Sequence, residues 1–191
     1  MRVLRSILSR FYLYILWAFL ALLVCGTVFT RLDDAPPAKK VTLFADVPAV
    51  EDRALAWELE RSVPPEIRKV KVHPFSYAMF DSENLLGADL YIVPESEAEA
   101  YSGSFRSVEG AGFDPSGGYV RDGELWGIKV WDAASRTGIA TEYIRYPDED
   151  CWLFINAKSV HAAVLTGTGD DAALAVARAL LTIKCKTGEK K

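Results

Sequence analysis

Hydrophobic positions along the chain fall into three regimes. From Phe11 to Phe29 no residue is charged and every helical face is apolar. As a helix this run is about 28 Å long at ~1.5 Å per residue, close to the ~30 Å hydrocarbon core of a bilayer. Residues 32–40, LDDAPPAKK, are polar and carry Pro36-Pro37, which predicts a short semi-extended linker. From Val41 onward, short apolar runs alternate with segments of helical period. Residues 1–31 therefore read as a basic flank with a transmembrane signal-anchor helix, 32–40 as a linker, and 41–191 as one extracytoplasmic domain.

Within the domain, Val41–Val47 (VTLFADV) predicts a strand ended by Pro48. Leu55, Ala56 and Leu59 predict a helix over Glu51–Ser62, stopped by Pro64-Pro65. Val70–Phe75 alternates as a second strand. Ser76–Leu86 reads as a loop or short helix. Ala88–Val93 (ADLYIV) is almost continuously apolar, as a strand covered on both faces is. Glu95–Tyr101 fits a helical turn. Alternating strands and helices predict parallel pairing.

The second half has another texture. Ser102–Gly118 is Gly- and Ser-rich and reads as loop. Asp122-Gly123 lies between two apolar arms in Tyr119–Val130, the signature of a hairpin with a type I′ turn. Ile139–Tyr146 and Cys151–Ile155 read as two more strands, and Asp170–Ile183 as an amphipathic helix with Leu174, Ala177, Leu180 and Leu181 on one side. The fold class is α/β: an N-terminal transmembrane helix, then a domain with a mixed, largely parallel sheet flanked by helices.

Composition changes this picture little, and charge sharpens it. Half of the 191 residues are hydrophobic. Mean hydropathy is +0.08, and the excess sits in the Phe11–Phe29 run. Removing Arg2, Arg5 and Arg10 from the 22 basic residues leaves 19 against 26 acidic ones, so residues 31–191 carry a net charge of −7. That domain lacks the basic stripe a phosphate backbone demands, so nucleic acid is not an expected partner. Three arginines before the run, against Arg31, Lys39 and Lys40 diluted by Asp33 and Asp34 after it, place the N-terminus inside. The expected location is a single-pass cell-membrane protein with an extracytoplasmic domain. Two alternatives stand beside the anchor: a cleaved signal peptide, although no A-x-A site follows, and lipidation at Cys25, although Val24 precedes it where a small residue is usual. Cys151 and Cys185 are either paired or two separate thiols.

Chemistry is sparse. Asp46, His73 and Glu95 fall at three strand ends, where open parallel sheets bind ligands. They are the candidate ligand residues, against the plainer reading of turn and cap hydrogen bonds. Neither H-E-x-x-H nor C-x-x-C occurs, so no metal or cofactor is expected. No G-x-S-x-G elbow occurs. Gly167-Thr168-Gly169 opens the last helix without the Gly-Lys-Ser/Thr of a P-loop, and Thr168 with Asp171 reads as a capping box. Trp126, Trp131, Tyr143, Tyr146 and Trp152 crowd the second half. Trp126 and Trp131 are the candidate partner-binding residues, against a core role for all five.

Three stretches together carry a family resemblance. Asp122–Ile128 (DGELWGI) resembles the DGKLYGIP stretch of bacterial extracellular solute-binding proteins. Cys151–Lys158 (CWLFINAK) is similar to the LYYNK strand that follows it there. Ala88–Pro94 (ADLYIVP) is similar to the preceding strand, often ADVV. The order matches over residues 41–160. The resemblance implies a type II periplasmic-binding-like fold cut to about one lobe, since family members are about twice as long, and Lys129 stands where the family has proline. It also implies that Asp46 and Glu95 lie where first-lobe ligand contacts fall. The expected function is a membrane-anchored domain that binds a small polar solute weakly or acts as an interaction module, not an enzyme. The alternative is an accessory subunit of a membrane protein complex without a small-molecule ligand. A third reading, a hydrolase using Asp46 and His73, has no motif behind it.

Overall fold

The computed structural model describes residues 11–32, 35–74, 87–167 and 169–183. Ser76–Leu86, Thr168 and Cys185, each assigned a role above, lie outside the described residues. The chain divides into two compact units, Met1–Pro36 and Pro37–Lys191.

The first unit contains helix α1, Phe11–Leu32, 22 residues and so about 33 Å long. Its side chains are described from Phe11 to Thr27. Trp17 is 66% and Leu22 74% exposed, and the large hydrophobics around the whole circumference share that exposure. Among the described residues no helix is long and apolar enough to cross a membrane. The stretch expected to cross, Phe11–Phe29, extends beyond the last described side chain of α1.

The second unit is an α/β sandwich. Its strands are β1 Lys40–Ala45, β2 Ala49–Val50, β3 Lys69–Pro74, β4 Leu90–Pro94, β5 Phe105–Arg106, β6 Tyr119–Arg121, β7 Glu124–Asp132, β8 Thr137–Gly138, β9 Ile144–Arg145 and β10 Cys151–Asn156. Its helices are α2 Asp52–Ser62, α3 Glu95–Ala98, α4 Ala163–Thr166 and α5 Ala172–Thr182. The main sheet runs β3-β1-β4-β10-β7-β6, with β5 beside β10 and β8 beside β7, while β2 and β9 form a separate ribbon. β3, β1 and β4 pair in parallel. Beyond β4 the pairings are antiparallel.

Local chemistry accounts for these elements. α2 ends at Val63, extended at φ −97° and ψ 162° because Pro64 excludes the helical region for its predecessor. Edge strand β3 alternates, with Val70 and Val72 inward and Lys69, Lys71 and His73 outward, the charged edge that discourages pairing with other chains. Central strands β4 and β10 are buried along their whole length, so they read as apolar runs without alternation. Asp122 (φ 53°) and Gly123 (φ 85°) both take the left-handed conformation of the predicted type I′ turn.

Two cores result. One face of the sheet packs Leu43, Ile92, Leu153 and Ile155 against Leu55 and Leu59 of α2 and Leu174, Ala177 and Leu180 of α5. The other face is aromatic: Phe44, Tyr91, Phe105, Trp152 and Phe154, with Tyr101, Tyr119 and Trp126 at its margin. Phe105 and Phe154 stack with centroids 4.1 Å apart. Gly127 makes room for this, since a Cβ there would lie 2.7 Å from Phe154 Cε1.

Two expectations are corrected. Ile139–Tyr146 is not a strand; only Ile144–Arg145 is, and it pairs with Ala49–Val50. Ala140 takes φ 48° and its carbonyl accepts from the amides of both Tyr143 and Ile144, so the backbone turns there. The Ser102–Gly118 loop holds a 3-10 turn at Ser102–Ser104 and the short β5. Asp171 Oδ1 accepts from Val164 N at 2.8 Å, while Asp170 Oδ1 takes the Ala172 amide at 3.0 Å. Cys151 is a buried free thiol, pushed up to about 12 by burial and the nearby Glu149.

Candidate solute site at the carboxyl end of the sheet

β1 leads through α2 to β3 on one side, whereas β4 leads through α3 towards the opposite half of the sheet. Their carboxyl ends are therefore a topological switch point, where open sheets leave a crevice. Asp46 follows β1, and its amide donates to Ile92 O of β4 at 2.8 Å. Burial raises its carboxyl pKa to about 6, and Glu97 and Glu149 add to the rise. Burial likewise pushes the Tyr101 phenol up to about 12, with Asp46 and Glu97 contributing. Glu149 is committed, since its carboxylate accepts from both the amide and the hydroxyl of Ser96 at 2.9 Å. Asp150 is committed too, paired with Lys129 Nζ at 2.5 Å and accepting from Ala133 N at 2.8 Å.

The three predicted ligand residues do not converge. The acidic residue of this helical turn that raises the Asp46 pKa is Glu97, two residues beyond the predicted Glu95. Glu95 itself hydrogen-bonds through its amide to Asp150 O and lies near Lys129. His73 pairs in register with Phe44 on the outer strand and lines a separate 370 Å³ groove with Asp52 and Trp57 of α2. Burial first, then Lys71, lowers its pKa.

The two predicted partner tryptophans lie on opposite faces of the sheet. Register shifts interrupt β7 against both neighbours, between the pairs of Tyr119 and Val120 and between those of Cys151 and Trp152. The two tryptophans are five positions apart, an odd spacing that alternation puts on opposite faces, and two one-residue shifts leave that parity unchanged. Trp126 packs against the aromatic core with Arg121 over its ring at 5.1 Å, and its indole N–H is buried without an acceptor. Trp131 packs against the other core, stacked on Tyr146, and its indole donates to Pro147 O at 3.1 Å.

That stacked pair forms one wall of a cavity of 550 Å³ at the same end of the sheet as Asp46, between the β2–β9 ribbon and the turn after β7. The volume falls within the range of small-molecule sites, about 300–1,000 Å³. Glu51, Arg136, Glu142 and Arg145 are its charged lining. Among the described residues, the non-glycine positions with left-handed backbone are Asp122, Arg136 (φ 53°) and Ala140. The first serves the hairpin, while the other two bracket this cavity. Such strain, about 1–3 kcal/mol each, persists where surrounding structure imposes it, often at ligand clamps. Sequence reasoning missed Arg136, Glu142 and Arg145, because the cavity depends on the turn at Ala140.

A second polar cluster sits at the opposite end of the sheet. Buried Ser159 donates to Asp89 Oδ1 at 2.7 Å, Thr42 N donates to Asp89 Oδ2 at 2.9 Å, and Ser159 Oγ accepts from the amide of His161 at 3.1 Å. The His161 ring spans Asp170 Oδ1 at 2.8 Å and Pro37 O at 3.1 Å. Its nitrogens thus face a carboxylate and a carbonyl rather than the Ser159 hydroxyl, which is not the nucleophile–base arrangement of a triad. The cluster ties the start of β1 to the loop after β10 and the start of α5.

No protein family and no curated protein matches the sequence. Among solved structures, the N-glycan transport solute binding protein from Streptococcus pneumoniae, in complex with Man1GlcNAc, aligns at 10% identity and a TM-score of 0.33, over 49% of this chain and 25% of its own. The alignment spans a quarter of that protein, and at this level it says nothing about ligand or activity.

Proposed function

We propose that the chain is a membrane-anchored, extracytoplasmic α/β domain that binds a small polar solute weakly at the carboxyl end of its sheet, without catalysing a reaction. The observation that carries the reading is the 550 Å³ cavity walled by the Trp131–Tyr146 stack and rimmed by Glu51, Arg136, Glu142 and Arg145. An aromatic wall with convergent polar groups is the ordinary make-up of a small-molecule site. One lobe leaves the solute open to water on one side, so affinity is low. Anchoring rests on the uncharged Phe11–Phe29 run, and orientation on the arginines before it.

The test is thermal unfolding of the full chain in detergent against sugars, amino acids, oligopeptides and metal ions. A site occupied at a hundredfold excess over its Kd adds about 2.7 kcal/mol. The expected result is a saturable shift for one polar class, lost in a Glu142→Gln/Arg145→Gln variant and kept in His73→Ala. Cooperative unfolding with no shift from any member of the panel overturns the reading.

A further inference from the structure

The rim of the 550 Å³ cavity is charged in both senses. Arg136 and Arg145 supply two cations, and Glu51 and Glu142 two carboxylates. Among the described residues none of these four side chains has an ion pair or hydrogen bond to another side chain, unlike Glu149 and Asp150 close by in sequence.

Their backbones are nevertheless held. The turn that carries Arg136 is fixed by Asp132 Oδ1, which accepts from Ala134 N at 3.0 Å and Ser135 N at 3.3 Å, and by Asp150 Oδ1, which accepts from Ala133 N at 2.8 Å. The Ser135 and Thr137 hydroxyls hydrogen-bond at 2.6 Å across Arg136 itself. On the other wall, Arg145 lies opposite Ala49 in the β2–β9 ribbon, and Glu51 N donates to Tyr143 O at 2.8 Å. The four side chains are themselves exposed, so it is their backbone frame that is set before a ligand arrives, which lowers part of the ordering cost of binding.

From this we infer that the solute is a small zwitterion, a free amino acid or short peptide with both termini charged. The inference rests on the cavity being the solute site. A neutral sugar would hydrogen-bond these groups through its hydroxyls but neutralise none of the four charges. A simple anion or cation would use one half of the rim and be repelled by the other. A zwitterion places its carboxylate on the guanidinium groups, which suit bidentate contact, and its ammonium on Glu51 and Glu142, with any side chain against the Trp131–Tyr146 wall.

The experiment is titration calorimetry of the full chain in detergent with dialanine, N-acetyl-dialanine, dialanine amide and a neutral disaccharide. The inference predicts saturable binding of dialanine and binding at least about tenfold weaker for each blocked peptide. An Arg136→Gln/Arg145→Gln variant should lose at least about tenfold for dialanine, with unchanged affinity for dialanine amide. Binding of the disaccharide without dialanine overturns the zwitterion and leaves the solute site standing. Equal binding of free and blocked dialanine overturns the charge pairing. No binding of any of the four, confirmed by an unshifted thermal panel, removes both readings.

Discussion

The indole of Trp131 lies flat on the phenol of Tyr146, ring centroids 5.0 Å apart and planes 3° from parallel. The contact joins β7 to the segment before β10, and each ring is also anchored by its polar end. Trp131 Nε1 donates to Pro147 O, and Tyr146 Oη donates to Ile139 O, both at 3.1 Å. Trp131→Ala removes the stack, the hydrogen bond and part of the packing against the core. A fully buried Trp→Ala costs about 3–5 kcal/mol. Half-buried Trp131 should cost about 2–3 kcal/mol. Trp131→Phe keeps a ring and loses the donor, at about 1 kcal/mol. Urea unfolding of the three proteins measures both.

Asp46 makes stability depend on pH. Its folded pKa is raised from 3.8 to about 6. Well below pH 3.8 the carboxyl is protonated in both states and costs nothing. As pH rises through 6 the folded state must carry a poorly solvated charge, so stability from this group is present in acid and lost above pH 6. The whole shift would be about 3 kcal/mol, and the half-exposed position reduces it to about 1 kcal/mol. Asp46→Asn should therefore be about 1 kcal/mol more stable than wild type at pH 7.5, the difference shrinking through pH 6 and closing below the unfolded value of 3.8. His73, with its lowered pKa, acts in the opposite sense, so the difference between the two proteins isolates Asp46.

Gly127→Ala probes the aromatic face. The new methyl would sit 2.7 Å from Phe154 Cε1, and Phe154 is fully buried and stacked on Phe105. Phe154 cannot yield without displacing that partner. Overpacking of this kind costs about 1–3 kcal/mol. Thermal unfolding with near-ultraviolet circular dichroism should show a lower Tm and a weakened aromatic signal.

Sequence alone exposed the parts that local rules govern. Alternation in Val70–Val72, the apolar runs of Leu90–Val93 and Cys151–Ile155, the Asp122-Gly123 turn and the stop at Pro64-Pro65 each rest on neighbours in the chain. The site was less accessible because it rests on interruptions of those rules. Alanine has no signal for left-handed backbone, so the turn at Ala140 that opens the cavity was read as strand. Trp126 and Trp131 stand five positions apart, an odd spacing that strand alternation already puts on opposite faces, so they form no common surface.

Asp89 holds the far end of the sheet. Its carboxylate, 7% exposed as a residue, takes the Thr42 amide and the Ser159 hydroxyl. Asp89→Ala strands both donors in a buried setting, at about 1–3 kcal/mol for each unsatisfied group. Asp89→Asn retains one acceptor oxygen and should lose about half as much. Chemical denaturation at pH 7 of both variants checks the order. A loss below 0.5 kcal/mol for Asp89→Ala, on the scale of an ordinary surface change, would mean the cluster does not fasten the sheet.

The central claim, a solute site between the Trp131–Tyr146 stack and the β2–β9 ribbon, is tested most directly by amide and indole NMR of the full chain in detergent during titration with dialanine. The indole resonance of Trp131 is identified by its loss in Trp131→Phe. The account predicts saturable shifts of that indole and of the Glu142 and Arg145 amides, while the indoles of Trp126 and Trp152 on the other face stay still. Shifts confined to the aromatic face or to the His73 groove, or none at millimolar dialanine, would contradict it.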